Sequence, residues 1–497
     1  MLPGDTDHTY MPLGNEPSLY NRTIRGGFWV MQTTLVLRVL DFVRLVILGR
    51  LLGPRDFGLL GIGLLTMAIL NQLTETGFKS AMIQKSSITD DHLNVAWTVG
   101  IVRGILLYIV LYISAPLVAM FFQKSEATTL IRVIGIMMIL NTFSNIRLVV
   151  FQKDLQFHKV FIYQIGGLIV DLGLSVYLAV LYKNVWALVW GKLAGETARV
   201  ILSYLLDGNR PRFCTDVAKL RDLWTYGKWI FGTSILKFFI MNGDDFLVGR
   251  MLGVKALGLY RYAYRISNLV ATDIGDVISK VSFSTYSKLQ DAREKLRNGY
   301  IKSTLFVTAI SYPITGGIIV LGEELIQVIL GEKWTEMVPT MQILCLLGAS
   351  KCMQFGNIFM SMNRPDISTK LSLVRLILII ITIYPLTVAM GMPGTALSVL
   401  LSSLLIGVVG LFLVQKFIDH SPWDFVTLVF TPTAATLVMV SCLYLVKRQF
   451  GSVNLPGLLI LIGVGMVSYV GTILLFGFID KKNNVFRLFK EIFKGLR

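Results

Sequence analysis

Apolar residues in this chain come in fourteen blocks of about twenty, a length set by the thickness of a bilayer and not by a globular core. The blocks run over 27–49, 57–80, 93–121, 128–150, 157–182, 185–206, 223–248, 255–279, 300–321, 337–361, 367–390, 392–416, 424–446 and 455–478. A helix of about 20 residues crosses a hydrocarbon core about 30 Å thick, so the fold expected is an all-α polytopic membrane protein of about fourteen transmembrane helices. Only 15% of the residues are charged, against about a quarter in soluble proteins. The longest connections are Asp207 to Asp222, Lys280 to Gly299 and Gly322 to Glu336, too short for a separate soluble domain.

The net charge of +17 is distributed by side. With the N-terminus in the cytoplasm, 24 Lys and Arg residues fall near span ends on the cytoplasmic side and nine on the other, as the positive-inside bias requires. An even number of spans then puts both termini in the cytoplasm, and no nucleic-acid partner is expected. Cys214, Cys345, Cys352 and Cys442 form no CxxC pair, and His8, His92, His158 and His420 lack ligand spacing. No metal, disulfide or cofactor is expected. Residues 1–21 contain no apolar stretch of signal-peptide type and read as a cytoplasmic tail, with the first span as the targeting signal. At the other end, Val485, Leu488, Phe489, Ile492, Phe493 and Leu496 alternate with Lys and Arg, the pattern of a basic amphipathic helix on the inner leaflet. Lys288 to Arg297 reads as a similar charged helical connector.

Gly27, Trp29, Thr33, Gly49, Arg50, Leu52, Gly53, Gly58 and Leu59 recur 200 residues later as Gly227, Trp229, Thr233, Gly249, Arg250, Leu252, Gly253, Gly258 and Leu259. The repeat unit is six spans, an even number, so both copies enter the membrane in the same orientation. That gives two parallel six-helix lobes, a plan used by alternating-access transporters, with spans thirteen and fourteen outside the repeat. The divisions expected are the tail 1–21, an N-terminal lobe 22–206, a cytoplasmic linker 207–221, a C-terminal lobe 222–416, the extra pair 417–478 and the basic tail 479–497.

An ionisable group inside a span is costly unless it meets a partner or a wet cavity, so its default reading is functional. Arg38, Asp41 and Arg44 follow one another at three-residue intervals in the first span, which confines them to an arc of about 120°. Lys237 and Asp244 lie seven apart in the repeat-equivalent span, with Asp245 beside them, and Arg261, Arg265 and Asp276 share a face of the eighth. Glu75, Asp171, Lys192 and Glu196 are further intramembrane charges. Arg103, Arg199, Arg250 and Lys280 lie near span ends and read as internal ion pairs or snorkelling anchors. A polar, hydrated cavity lining suits a large head group with anionic and hydroxyl groups. A coupling proton or sodium ion has four candidate carriers, Glu75, Asp171, Glu196 and Asp244. The chain carries no GxxxxGK[ST], HExxH or GxSxG motif, and no enzymatic activity is expected.

The phrases Ile47-Leu48-Gly49-Arg50-Leu51-Leu52-Gly53-Pro54-Arg55-Asp56-Phe57-Gly58, Asp244-Asp245-Phe246-Leu247-Val248-Gly249-Arg250-Met251-Leu252-Gly253 and Gly331-Glu332-Lys333-Trp334 resemble those of bacterial polysaccharide flippases of the MOP superfamily. Phe151-Gln152-Lys153-Asp154-Leu155-Gln156-Phe157 and Asn363-Arg364-Pro365-Asp366 fit the same family. The resemblance covers nearly the whole chain. It implies two lobes around a central cavity, two extra helices, and translocation of undecaprenyl-pyrophosphate-linked oligosaccharide from the inner to the outer leaflet. More distantly, Arg38 to Arg44 is similar to the first-helix arginine pair of lipid II flippases, and Glu75-Thr76-Gly77-Phe78 to their second-helix acidic site. The chain departs from that family late in the second helix, with Asn71 and Gln72 in place of arginine.

The function expected is therefore an alternating-access flippase for polysaccharide biosynthesis, in the bacterial inner membrane. The substrate-binding residues expected are Arg38, Asp41, Arg44, Glu75, Lys237, Asp244, Asp245, Arg261 and Arg265. A polysaccharide polymerase or export machinery is the candidate protein partner. A multidrug-type exporter, a lipid II flippase, a membrane scaffold and an integral-membrane enzyme are the alternatives.

Overall fold

A computed structural model describes residues 19–74, 82, 89–216, 238–290, 292–353, 355–418, 422–449 and 453–479. Wherever they are described, the fourteen apolar segments are helical, with interruptions in the fourth and the tenth. Among the described residues, eight helical segments are long and apolar enough to cross a membrane. Their outer faces carry large exposed apolar side chains, such as Val102, Ile109 and Ile113 or Ile377, Ile381 and Val388, which is the surface a lipid-facing helix needs. The protein is a multi-pass membrane protein.

The described helices divide into two compact units: the first takes residues up to Asn242 plus Gly253–Lys255, the second Gly243–Leu252 and Ala256 onward. The first unit contains α1 (Leu19–Leu51), α2 (Pro54–Gln72), α3 (Asp90–Phe121), α4 (Glu126–Ile134), α5 (Ile136–Thr142), α6 (Leu148–Lys153), α7 (Phe157–Tyr182) and α8 (Val185–Leu205). Its most extensive packing is the α7–α8 hairpin, against which α1 lies, while α2 and α3 pack on α4. Asn184 caps the start of α8, its Oδ1 accepting the Trp186 amide at 3.1 Å.

The expected fourth span is three short helices instead of one. Asn145 supplies the reason for the second break: its Oδ1 accepts the amide of Arg147 at 3.1 Å and its own amide donates to Ser203 Oγ at 2.9 Å. A buried asparagine satisfied in this way offers the backbone an alternative to the helical ladder.

A helix over 238–251 (α9) leads into the second unit. There follow α10 (Gly253–Lys288), α11 (Arg293–Ile329), a 3-10 turn (Glu332–Met337), α12 (Val338–Ser350), a second 3-10 turn (Lys351–Met353), α13 (Phe355–Ser361), α14 (Pro365–Met390), α15 (Met392–Ile418), α16 (Pro422–Lys447) and α17 (Leu455–Ile479). The helices α14 and α15 form a hairpin turned by Gly391 at φ 64°. The extra pair, α16 and α17, packs on α11 around Leu305, Met439, Leu461 and Tyr469. Tyr469 donates its hydroxyl to the Ala309 carbonyl at 2.7 Å, and Lys447 Nζ meets Glu324 Oε1 at 2.7 Å.

The charged connector expected over Lys288 to Arg297 is helical on both sides of a short break, and the connection expected over 322–336 is mostly helix. Between spans eight and nine, Leu289, Gln290 and Ala292 are non-helical among the described residues, and Tyr286, Leu296 and Tyr300 turn inward onto Ile358, Phe359 and Ile406. Likewise α11 continues to Ile329, and Gly331, at φ 96°, turns the chain so that Trp334 is fully buried.

The repeat is visible in the backbone. The Leu52 amide donates to the Leu48 carbonyl at 2.8 Å, and 200 residues later the Leu252 amide donates to the Val248 carbonyl at 2.9 Å. Both copies are a helix, a break of one or two residues and a second helix.

Candidate substrate sites in the two lobes

In the first unit the site begins with a seam of glycines. A Cβ at Gly191 would stand 1.9 Å from Ser175 Oγ, and one at Gly195 would stand 2.7 Å from the Asp171 Cβ and 2.8 Å from the Gly167 carbonyl. Small residues let helix backbones approach closely in a membrane. The seam therefore draws α8 onto the face of α7 that carries Asp171, the fifteenth of its 26 residues.

Asp171 is 5% exposed and has three neighbours. Ser175 Oγ donates to its Oδ1 at 3.0 Å, Arg44 Nη2 of α1 donates to the same oxygen at 3.1 Å, and Lys192 Nζ of α8 lies 3.9 Å from Oδ2. One turn beyond Lys192, Glu196 pairs with Arg199. Three cations thus accompany two carboxylates in this cluster, which leaves an excess positive charge. The Arg44 Nε is buried with no hydrogen-bond partner, so the guanidinium keeps a donor unused. The helices α1 and α8 are not among the eight apolar spans, since these charges lie on them.

In the second unit the cluster is built around two adjacent carboxylates. Asp244 is 6% exposed; its Oδ2 accepts the fully buried Tyr260 hydroxyl at 2.7 Å, and its Oδ1 accepts the Asp245 amide at 3.1 Å. Asp245 Oδ2 lies 3.4 Å from Arg261 Nη1. Arg375 of α14 lies within electrostatic reach of Asp244 and Tyr264. Beside them Lys351 donates to Asn268 Oδ1 at 3.2 Å.

The two clusters have opposite polarity at repeat-equivalent places. Asp244 is the 200-residue counterpart of Arg44. The helices α7 and α14 are both 26 residues long, and Arg375 stands one turn before the counterpart of Asp171. In one unit an arginine of the first span meets an aspartate of the fifth, and in the other an aspartate of the first span is within electrostatic reach of an arginine of the fifth.

Of the residues singled out in the sequence, Arg44, Asp171 and Lys192 come together in the first unit, and Asp244, Asp245 and Arg261 in the second. Arg38 is exposed and Asp41 half-buried on α1. Arg265 is exposed on α10, four residues after Arg261. Glu75, Lys237 and the tail 480–497 lie outside the described residues, and the side chain of Asp276 does too. Arg103 anchors α3 to the end of α2, donating to the Asn71 carbonyl at 3.0 Å and to Thr74 Oγ1 at 3.1 Å. The sequence reading passed over Ser175, Tyr260, Tyr264, Lys351 and Arg375. Arg375 stood in plain view as a lone cation in an apolar run, but Ser175 and the tyrosines carry no charge to mark them.

Buried, paired charges in both units of a repeat are the arrangement expected of a transporter. The family is recognisable as well: residues 47–339 match the model for polysaccharide biosynthesis protein, and the chain belongs to that family. It is 26% identical over 92% of its length to a membrane protein of the cps region of Klebsiella pneumoniae, 95% of which is covered. The lipopolysaccharide biosynthesis protein WzxC of Escherichia coli (strain K12) is 24% identical over 80% of each chain. In fold, the chain is similar to the lipid II flippase MurJ in an inward closed conformation, with a TM-score of 0.74, 15% identity, and 91% of this chain and 99% of that one covered.

Proposed function

We propose that this protein flips a polyprenyl-pyrophosphate-linked oligosaccharide from the inner to the outer leaflet by alternating access, supplying a polysaccharide assembly pathway. The observation that carries the reading is the Arg44 cluster: a largely buried guanidinium paired with an aspartate halfway along a membrane-spanning helix, with an unused donor and an excess positive charge around it, in a chain of a polysaccharide biosynthesis family. A pyrophosphate is the anion such a site fits, since arginine binds phosphate oxygens by charge-assisted hydrogen bonds that lysine reproduces poorly. Sugars and phosphates crossing hydrocarbon unaided would leave their polar groups unsatisfied, whereas a polyprenyl tail can stay in lipid.

In this reading Arg38, Asp41, Arg44, Glu75, Lys237, Asp244, Asp245, Arg261 and Arg265 contact or tune the head group, and Glu75, Asp171, Glu196 or Asp244 carries a coupling ion. The lobes are 22–206 and 222–416, joined by the linker 207–221 and followed by the pair 417–478, with 479–497 on the inner leaflet. The protein sits in the bacterial inner membrane with both termini cytoplasmic, performs no covalent chemistry, and hands its product to a polymerase or export machinery.

The test is transport in sealed vesicles, following the appearance of a polyprenyl-pyrophosphate oligosaccharide on the far leaflet for wild type and for Arg38→Ala/Arg44→Ala. Movement that needs the two arginines supports the reading. Wild-type protein that moves small cationic drugs and no lipid-linked glycan would replace it with an exporter.

A further inference from the structure

Arg44 is not idle in this structure. It is held by Asp171, and Asp171 has a second cation within reach. From that arrangement we infer that Asp171 is the resident counter-anion of Arg44, exchanged for substrate phosphate in each cycle, with Lys192 receiving the carboxylate that Arg44 releases. This inference rests on the flippase reading and assigns Asp171 as a positioning residue, distinct from an ion carrier.

The geometry supports an exchange over a permanent bond. Arg44 uses one nitrogen, Nη2, on one carboxylate oxygen at 3.1 Å, and its Nε is buried without a partner. A guanidinium built for permanent pairing would meet the carboxylate through two parallel hydrogen bonds. On the other oxygen, Lys192 stands at 3.9 Å, outside hydrogen-bond range but close enough that a small movement of a flexible four-carbon side chain would bring it in. Ser175 holds Oδ1 at 3.0 Å from the neighbouring turn of α7, so the carboxylate keeps one fixed donor throughout. The side chains of Arg44 and Asp171 are 15% and 7% exposed, and a buried carboxylate stripped of its cation would be heavily penalised. Lys192 removes that penalty when Arg44 turns to a phosphate.

Exchange has a purpose in a transporter. A free, largely buried arginine would bind pyrophosphate tightly and release it slowly, whereas one engaged by an internal anion binds with an affinity reduced by the fraction of time it is free. Asp171 then competes for Arg44 again and drives release. The carboxylate lowers affinity and raises turnover.

The two neighbours of Asp171 give tests of opposite sign. The purified full-length protein is titrated with farnesyl pyrophosphate in detergent by calorimetry. Asp171→Asn removes the competitor and leaves a Ser175 partner, so the probe binds about tenfold more tightly; in vesicles its KM and kcat for lipid-linked oligosaccharide both fall. Lys192→Met leaves Asp171 to Arg44 alone, and the probe binds several-fold more weakly. Asp171→Glu keeps the anion and stays within about threefold of wild type. A structural role for Asp171 predicts instead that Asp171→Asn weakens the probe. That result, or no gain in binding, overturns the inference. If Asp171→Asn is not monodisperse, Lys192→Met decides: unchanged or tighter binding overturns the inference. The flippase reading fails separately, on wild-type protein that moves no lipid-linked glycan.

Discussion

Arg44 and Asp171 lie 127 residues apart in the chain and meet at 3.1 Å between α1 and α7. Deleting one partner of a buried pair costs about 3–5 kcal/mol, while replacing both with apolar groups is often neutral. Arg44→Ala is therefore expected to lower thermal stability and abolish transport, whereas Arg44→Leu/Asp171→Leu recovers the stability and still does not transport. Thermal unfolding in detergent beside the vesicle assay checks both, and a double variant that transports would remove Arg44 from the substrate site.

In the second lobe, Tyr260→Phe deletes the donor to Asp244 Oδ2 from a fully buried position. An unsatisfied buried group costs about 1–3 kcal/mol, so the variant is less stable by that amount and unfolds at a lower temperature. Arg375→Gln, which removes a cation within electrostatic reach of Asp244, is expected to reduce transport at least tenfold with expression unchanged. Wild-type transport rates in Arg375→Gln would make that arginine a bystander.

Gly195→Val places a branched side chain where a single Cβ would already stand 2.7 Å from Asp171. Overpacking of this kind costs about 1–3 kcal/mol, and here it parts α7 from α8 at the residues that position Lys192. Both stability and transport fall, and Gly195→Ala is expected to lie between wild type and valine. An unperturbed Gly195→Val would mean that the hairpin opens at this seam without loss.

Cys214 reports on sidedness. It is half-buried in the linker, its amide donating to Thr98 Oγ1 at 3.0 Å, while Cys345 and Cys352 are buried. With the linker in the cytoplasm, a membrane-impermeant maleimide modifies Cys214 in inverted vesicles and leaves it untouched in right-side-out ones, as peptide mass spectrometry reads directly. The reverse pattern would invert the topology.

The helices were legible because hydropathy and the bilayer fix their length, and the repeat because Gly49, Arg50, Leu52 and Gly53 return at one offset. What could not be read was partnership. Nothing in the first span says that Arg44 meets the fifth, since that contact depends on the close approach permitted by Gly191 and Gly195 in a hairpin on which α1 then packs. The interruption at Asn145 was hidden for a related reason: its partners, Ser203 and Asn209, lie about 60 residues away in α8 and the linker. The connection at 322–336 was hidden because its carboxylates, Glu323, Glu324, Glu332 and Glu336, interrupt the apolar run, although the helix continues to Ile329.

The linker also fixes where this protein can be divided. Arg147 reaches Asp90 and Asp207 at 2.9 Å each, Asn145 donates to the Asn209 carbonyl, Asn94 accepts the Arg212 amide, and Phe213 packs on Trp97. This stretch belongs to the end of the first lobe although it has no regular secondary structure. A split gene cut after residue 206 would strand an N-terminal fragment without its own fastening. A cut after 216 would keep it, so two polypeptides meant to reassemble in one membrane should be parted there.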